Sequence, residues 1–194
     1  MRVLASLSSL MLVTAGCVSP TPANPYAENG APRRNEVLAA EFVGKASAVE
    51  ASDEEQAEVH LRAALAADIF CAKAHNNLGV LLLRRGDLYG AATEFEWARK
   101  LLPGHPEPRV NLALTLERAG QYGAARDSYE AALEVYPGYI AATQGAARLA
   151  VAEGESPAEL ERWLAQIAVE GESVEWRDWA RRESAQLEHD GDRR

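Results

Sequence analysis

Clustered basic charge is missing from this 194-residue chain: 20 Lys and Arg stand against 29 Asp and Glu, a net charge of −9 with the acids spread throughout. That excludes nucleic acid as a partner, because phosphates demand a basic footprint. It also excludes charge-driven adhesion to anionic lipid. Chemistry is equally sparse. The four histidines (His60, His75, His105, His189) are scattered without metal-ligand spacing. No Gly-rich phosphate loop, serine elbow or Cys/His framework is present, so neither catalysis nor a cofactor is expected. The abundant carboxylates read as i, i+4 partners of basic residues on solvated helix faces. Long apolar runs are absent apart from one at the N-terminus, Val3 to Ala15.

What the chain does contain is a repeat. The stretch from Ala74 to Gly104 recurs 34 residues later, from Pro108 to Gly138. Asn77 matches Asn111, Leu78 matches Leu112, Leu82 matches Leu116, and Gly86 matches Gly120. Ala91 then matches Ala125, Phe95 matches Tyr129, Ala98 matches Ala132, and Pro103 matches Pro137. A fixed period of this length marks a solenoid, whose units bury their apolar faces only against their neighbours. Leu78 and Leu82, four apart, lie on one helix face, and Ala91, Phe95 and Ala98 repeat the arrangement on the next helix. The alanines and Gly79 let two helices approach closely while the aromatic fills the space between them. Gly86 and Gly120 stand where the first helix stops and the chain reverses, and Pro103 and Pro137 end the second helix.

These residues resemble the tetratricopeptide repeat (TPR) family, whose unit is a pair of antiparallel helices. The clear units are residues 72–105 and 106–139; His75 and Arg109 depart from the pattern where the family often has Trp. The resemblance implies an all-α solenoid. Degenerate units are expected at residues 36–69 and 140–171, within a helical domain spanning residues 35–189, and a polar tail at 190–194. Ser52 with Glu55 reads as a capping box for the helix upstream of the first clear unit. Ser156, Pro157 and Glu159 read as the start of a helix carrying Trp163. A last helix over residues 173–189 is expected to cap the array. Three of the four tryptophans, Trp163, Trp176 and Trp179, fall in the final 32 residues. They are read as the buried face of this cap rather than an exposed patch, since Arg177, Asp178, Arg181 and Arg182 charge its opposite face.

The N-terminus is a different kind of segment. One basic residue, a short apolar run and small residues before Cys17 read as an export signal over residues 1–16, too short to span a bilayer. Thr14 to Cys17 resembles the lipobox of bacterial lipoproteins, with Thr14 where Leu is preferred. That resemblance implies acylation of Cys17 and, with Val18 following, an outer-membrane lipoprotein facing the periplasm. Cys71 is then left without a disulfide partner and reads as a small apolar residue. Residues 17–34, rich in Pro, Asn and Ala, read as a flexible tether.

The TPR resemblance further implies a concave groove lined by the first helix of each unit. Its positions are Lys73, Asn76, Asn77, Val80 and Arg84, then Asn111, Leu114, Glu117 and Arg118, then Gln144 and Arg148. An amide donates and accepts at once, so Asn77 and Asn111 suit the backbone of an extended peptide; the alternative is that each only ties down helix packing. Val80, Leu114 and Gly145 stand against the fuller carboxylate clamp of the chaperone-tail-binding subfamily. The expected function is an envelope-anchored scaffold that binds protein or peptide segments, touching the membrane only through its lipid. The alternative is a pilotin-like lipoprotein assembling a secretin or type IV pilus system.

Overall fold

The computed structural model describes Tyr26, residues 34–155 and residues 158–191. The signal-like segment, Cys17, Ser156 and Pro157 lie outside the described residues. Nine helices follow one another among the described residues: α1 (Glu36–Val49), α2 (Glu54–Ala67), α3 (Ala72–Arg85), α4 (Leu88–Leu101), α5 (Glu107–Arg118), α6 (Tyr122–Val135), α7 (Ile140–Glu153), α8 (Leu160–Glu170) and α9 (Val174–Gly191). They form a TPR solenoid. The helices pack pairwise as α1–α2, α3–α4, α5–α6 and α7–α8, with α9 laid against α8.

The reversals follow from glycine. Gly86, Gly120 and Gly154 have φ of 84°, 74° and 69°, a left-handed conformation that other residues adopt only at a cost. Each sits just past the first helix of its unit. Three helix starts, those of α1, α2 and α4, are capped by an acid or amide side chain: Asn35 accepts from Leu38 N, Asp53 from Gln56 N and Asp87 from Gly90 N. The Ser52–Glu55 capping box does not form. Asp53 takes the N-cap one residue later, and Ser52 Oγ instead donates to the Val49 carbonyl at the end of α1. Helix α8 begins at Leu160, later than expected, with Glu159 in the N-cap place but no side-chain bond there.

Within the unit α3–α4 the spacing rule is literal. A Cβ on Gly79 would lie 2.7 Å from Phe95 Cε1, so only glycine lets the ring seat there. Phe95, Tyr129, Leu78 and Leu81 are fully or almost fully buried. One apolar cluster fills α1 to α4 and includes Leu112; a second fills α5 to α9, and Leu116 packs against both. The core is thus continuous along the array, as a solenoid requires.

His75 does not simply leave a gap where the family has Trp. It is wholly buried; its Nδ1 lies 2.6 Å from Glu94 Oε2 and its Nε2 lies 2.8 Å from the Ile69 carbonyl. The Trp97 ring stacks on it at 5.4 Å. The carbonyl can only accept, so Nε2 carries a hydrogen, and one more hydrogen sits between Nδ1 and Glu94. Tyr26, inside the stretch read as a tether, donates its hydroxyl to the other oxygen of Glu94 and sets its ring edge against His75. Burial, then the hydrogen bond and charge of Glu94, push the Tyr26 hydroxyl above its ordinary pKa.

Candidate functional site: the inner helix layer

First helices of successive units touch one another, α1 with α3, α3 with α5 and α5 with α7. Among the described residues the second helices make no comparable contact with each other. The first helices therefore form the inner, more closely spaced layer. The groove positions read from the sequence all lie on α3, α5 and α7.

They are not equivalent. Lys73 is exposed near the start of α3, and Leu114 is 37% exposed on α5. Asn77 is half-buried, and its side chain makes no hydrogen bond among the described residues. Other positions are occupied by the scaffold itself. Asn111 Nδ2 donates to Asn76 Oδ1 at 3.0 Å, joining α5 to α3. Arg118 Nη1 donates at 3.1 Å to the Leu83 carbonyl at the end of α3, which also accepts from Gly86 N. Arg84 pairs with Glu50 and, at 3.3 Å, with Glu54. Val80 packs against the first apolar cluster.

These bonds correct the expectation that the carboxylates serve mainly i, i+4 pairs. Such pairs exist, Glu41–Lys45, Glu58–Arg62 and Glu96–Lys100. Yet Arg84–Glu50, Arg85–Glu58, Arg126–Glu153 and Arg148–Glu117 each join different helices.

The third unit is built differently. Gly145 stands one period after Asn111 and two after Asn77, and a Cβ there would overlap the Tyr129 ring. The ring of α6 therefore occupies space that asparagine would fill, and its hydroxyl is buried against Glu117 and Arg148. Burial, then the Glu117 charge, raise the Tyr129 pKa. Arg148 donates to Glu117 Oε2. Burial lowers the Arg148 pKa, but the Glu117 hydrogen bond and charge outweigh it and leave the guanidinium above its ordinary value. Glu117 Oε1, the Tyr129 hydroxyl and Gln144 Nε2 are all buried without a hydrogen-bond partner among the described residues. Gln144 lies one turn before Arg148 on α7 and is 3% exposed. This polar nest carried no signal in the repeat pattern, which treats position 145 as a lost asparagine.

Beside it the tryptophans divide. Trp163 is buried in the second cluster, whereas Trp176 and Trp179, perpendicular at 5.3 Å, pack on that cluster yet stay half-exposed. The cap is thus only partly closed. Trp176, Trp179, Arg148, Arg182, Ser173 and Glu175 line an open cleft of ≈ 540 Å³. A second cavity of ≈ 420 Å³ lies at the other end, lined by Arg34, Phe70, Cys71 and Lys73 among others. Burial pushes the Cys71 thiol above its ordinary pKa, which suits an inert side chain. Among the described residues no group of His, Cys, Asp and Glu stands close enough to hold a metal ion, and no helix is long and apolar enough to cross a membrane.

The fold recurs in solved structures of low sequence identity. The first TPR of Spaghetti (RPAP3), bound to an HSP90 peptide, is 15% identical with a TM-score of 0.60, covering 63% of this chain and 98% of that one. YrrB, described as a TPR protein with an unusual peptide-binding site, is 21% identical with a TM-score of 0.56, covering 69% of each. The pilF protein of Pseudomonas aeruginosa is also 21% identical with a TM-score of 0.56, covering 78% of this chain and 75% of that one. No curated protein matches in sequence. One family does match, over residues 29–176 and hence 148 of the 194 residues, and the chain belongs to it: the protein kinase G tetratricopeptide repeat family.

Proposed function

We propose that the protein is an envelope-anchored interaction scaffold that holds partner segments along its inner layer. The observation that carries this reading is Asn77. Its amide lies on the layer where successive first helices meet, and it makes no hydrogen bond among the described residues. Exposed Lys73 and Leu114 share that layer and add a charge and an apolar contact. Asn111 has the opposite character, since it is tied to Asn76. An amide with both donor and acceptor to offer suits an extended backbone. Of the TPR structures of similar fold, Spaghetti is bound to an HSP90 peptide and YrrB has an unusual peptide-binding site, which supports the same use here. TPR units serve as interaction modules, and the reading assigns no catalysis.

The anchor is the acylated Cys17 of the lipobox-like signal, placing the domain on the periplasmic side of the outer membrane. Cys17→Ser is expected to release the protein into the soluble envelope fraction and to abolish labelling by a fatty-acid analogue; persistent labelling would refute the anchor. For the groove, immunoprecipitation from envelope fractions is expected to recover the same partner set with wild type and lose it with Asn77→Ala. Recovery unchanged by that substitution would refute the groove. A secretin as the dominant partner would favour the pilotin-like alternative instead.

A further inference from the structure

Among the described residues that line the C-terminal cleft, Arg148 and Glu175 are engaged and Arg182 is not. Glu117 is engaged by Arg148. Glu175, fully exposed, is held below the ordinary carboxylate range by hydrogen bonds from Ser173 and its own backbone at the start of α9. Of the three arginines on α9, Arg177 donates to the Gly171 carbonyl at 2.6 Å, and Arg181 to Asp178 and the Ala168 carbonyl at 2.8 and 3.2 Å. Arg182 has no ion pair or hydrogen bond among the described residues. Contrary to the expectation that it charges the face opposite the tryptophans, it lines the cleft beside the half-exposed rings of Trp176 and Trp179.

We propose that this cleft is a binding site for a peptide segment carrying a carboxylate next to an aromatic or long apolar side chain. The proposal rests on the groove reading above and names what its C-terminal end takes. Three features select the ligand. The volume of ≈ 540 Å³ suits one or two side chains. Two perpendicular indole rings offer a face and an edge to an apolar or aromatic group. The Arg182 guanidinium, without a partner among the described residues at the rim of such a surface, forms its strongest hydrogen bonds with a planar carboxylate.

Fluorescence anisotropy on the full-length protein tests this, with a fluorescein-labelled peptide Ser-Gly-Asp-Phe-Glu-Gly-Ser as the probe. Saturable binding is expected, with a shift in tryptophan emission. The Asn/Gln peptide and the Phe-to-Ala peptide should each bind several-fold more weakly. Arg182→Gln, which removes an exposed side chain that the fold does not use, should weaken the acidic peptide about tenfold and leave the amide peptide unchanged. Trp179→Ala should weaken both, and if it fails to fold, Arg182→Gln alone decides. No saturable binding to wild type overturns the proposal. So does binding that survives Arg182→Gln but is lost in Asn77→Ala, and that result would leave the groove reading standing.

Discussion

Glycine at position 145 shows how one residue redirects a repeat. The two preceding units carry asparagine there, and pattern reading registers only the loss of an amide. The structure supplies the cause: the Tyr129 ring lies where a Cβ would be. Gly145→Ala is expected to destabilise by about 1–3 kcal/mol, the usual cost of overpacking a filled core. Tyr129→Phe should be neutral to stabilising, because the hydroxyl it removes is buried without a hydrogen-bond partner among the described residues. Thermal melting of the two variants checks both, and a wild-type melt for Gly145→Ala would mean that the ring sits elsewhere. His75 teaches the same lesson. In the sequence it is only a departure from a family position, yet it is fully buried with Glu94, Ile69 and Trp97 as partners. Its partner Glu94 is 19 residues away on another helix, and Tyr26 is 68 from Glu94, separations that no periodicity encodes.

Helices and their turns were the more legible level. The positive φ at Gly86 and Gly120 and the Gly79–Phe95 contact follow from residue types at fixed spacing. Gly120→Val forces a β-branched residue into the left-handed region and should lose roughly 1–3 kcal/mol in a denaturant melt. The inter-helix ion pairs were less legible, because sequence spacing within a helix cannot show which helix a neighbouring arginine reaches. Glu58 is the clearest case. Burial pushes its carboxyl up, but hydrogen bonds and charge from Arg62 on α2 and Arg85 on α3 outweigh this and hold it below the ordinary range. A depressed folded value means that its contribution is present above about pH 4.3, the unfolded carboxylate value, and fades as pH falls through the lower folded one. Glu58→Gln should therefore reduce stability slightly at pH 7 and flatten the acid limb of a stability profile. An identical pH dependence in wild type and variant would show that the pairs contribute nothing, as happens for many exposed ion pairs.

At the scale of the whole molecule, the inner layer of first helices and the outer layer of second helices are the division on which the proposed function depends. The all-α solenoid could be read from one 34-residue period. The subdivision of the groove could not, because whether a polar side chain is free or tied depends on neighbours one unit away, as Asn77 and Asn111 show. Site-specific photo-crosslinking in living cells tests the account most directly. A benzophenone amino acid replaces Leu114, 37% exposed on α5, or Tyr89, 87% exposed on the second helix α4. The account predicts a discrete adduct with a protein partner from position 114 and none from position 89. An adduct from position 89 with none from position 114 would place binding on the outer layer and contradict it.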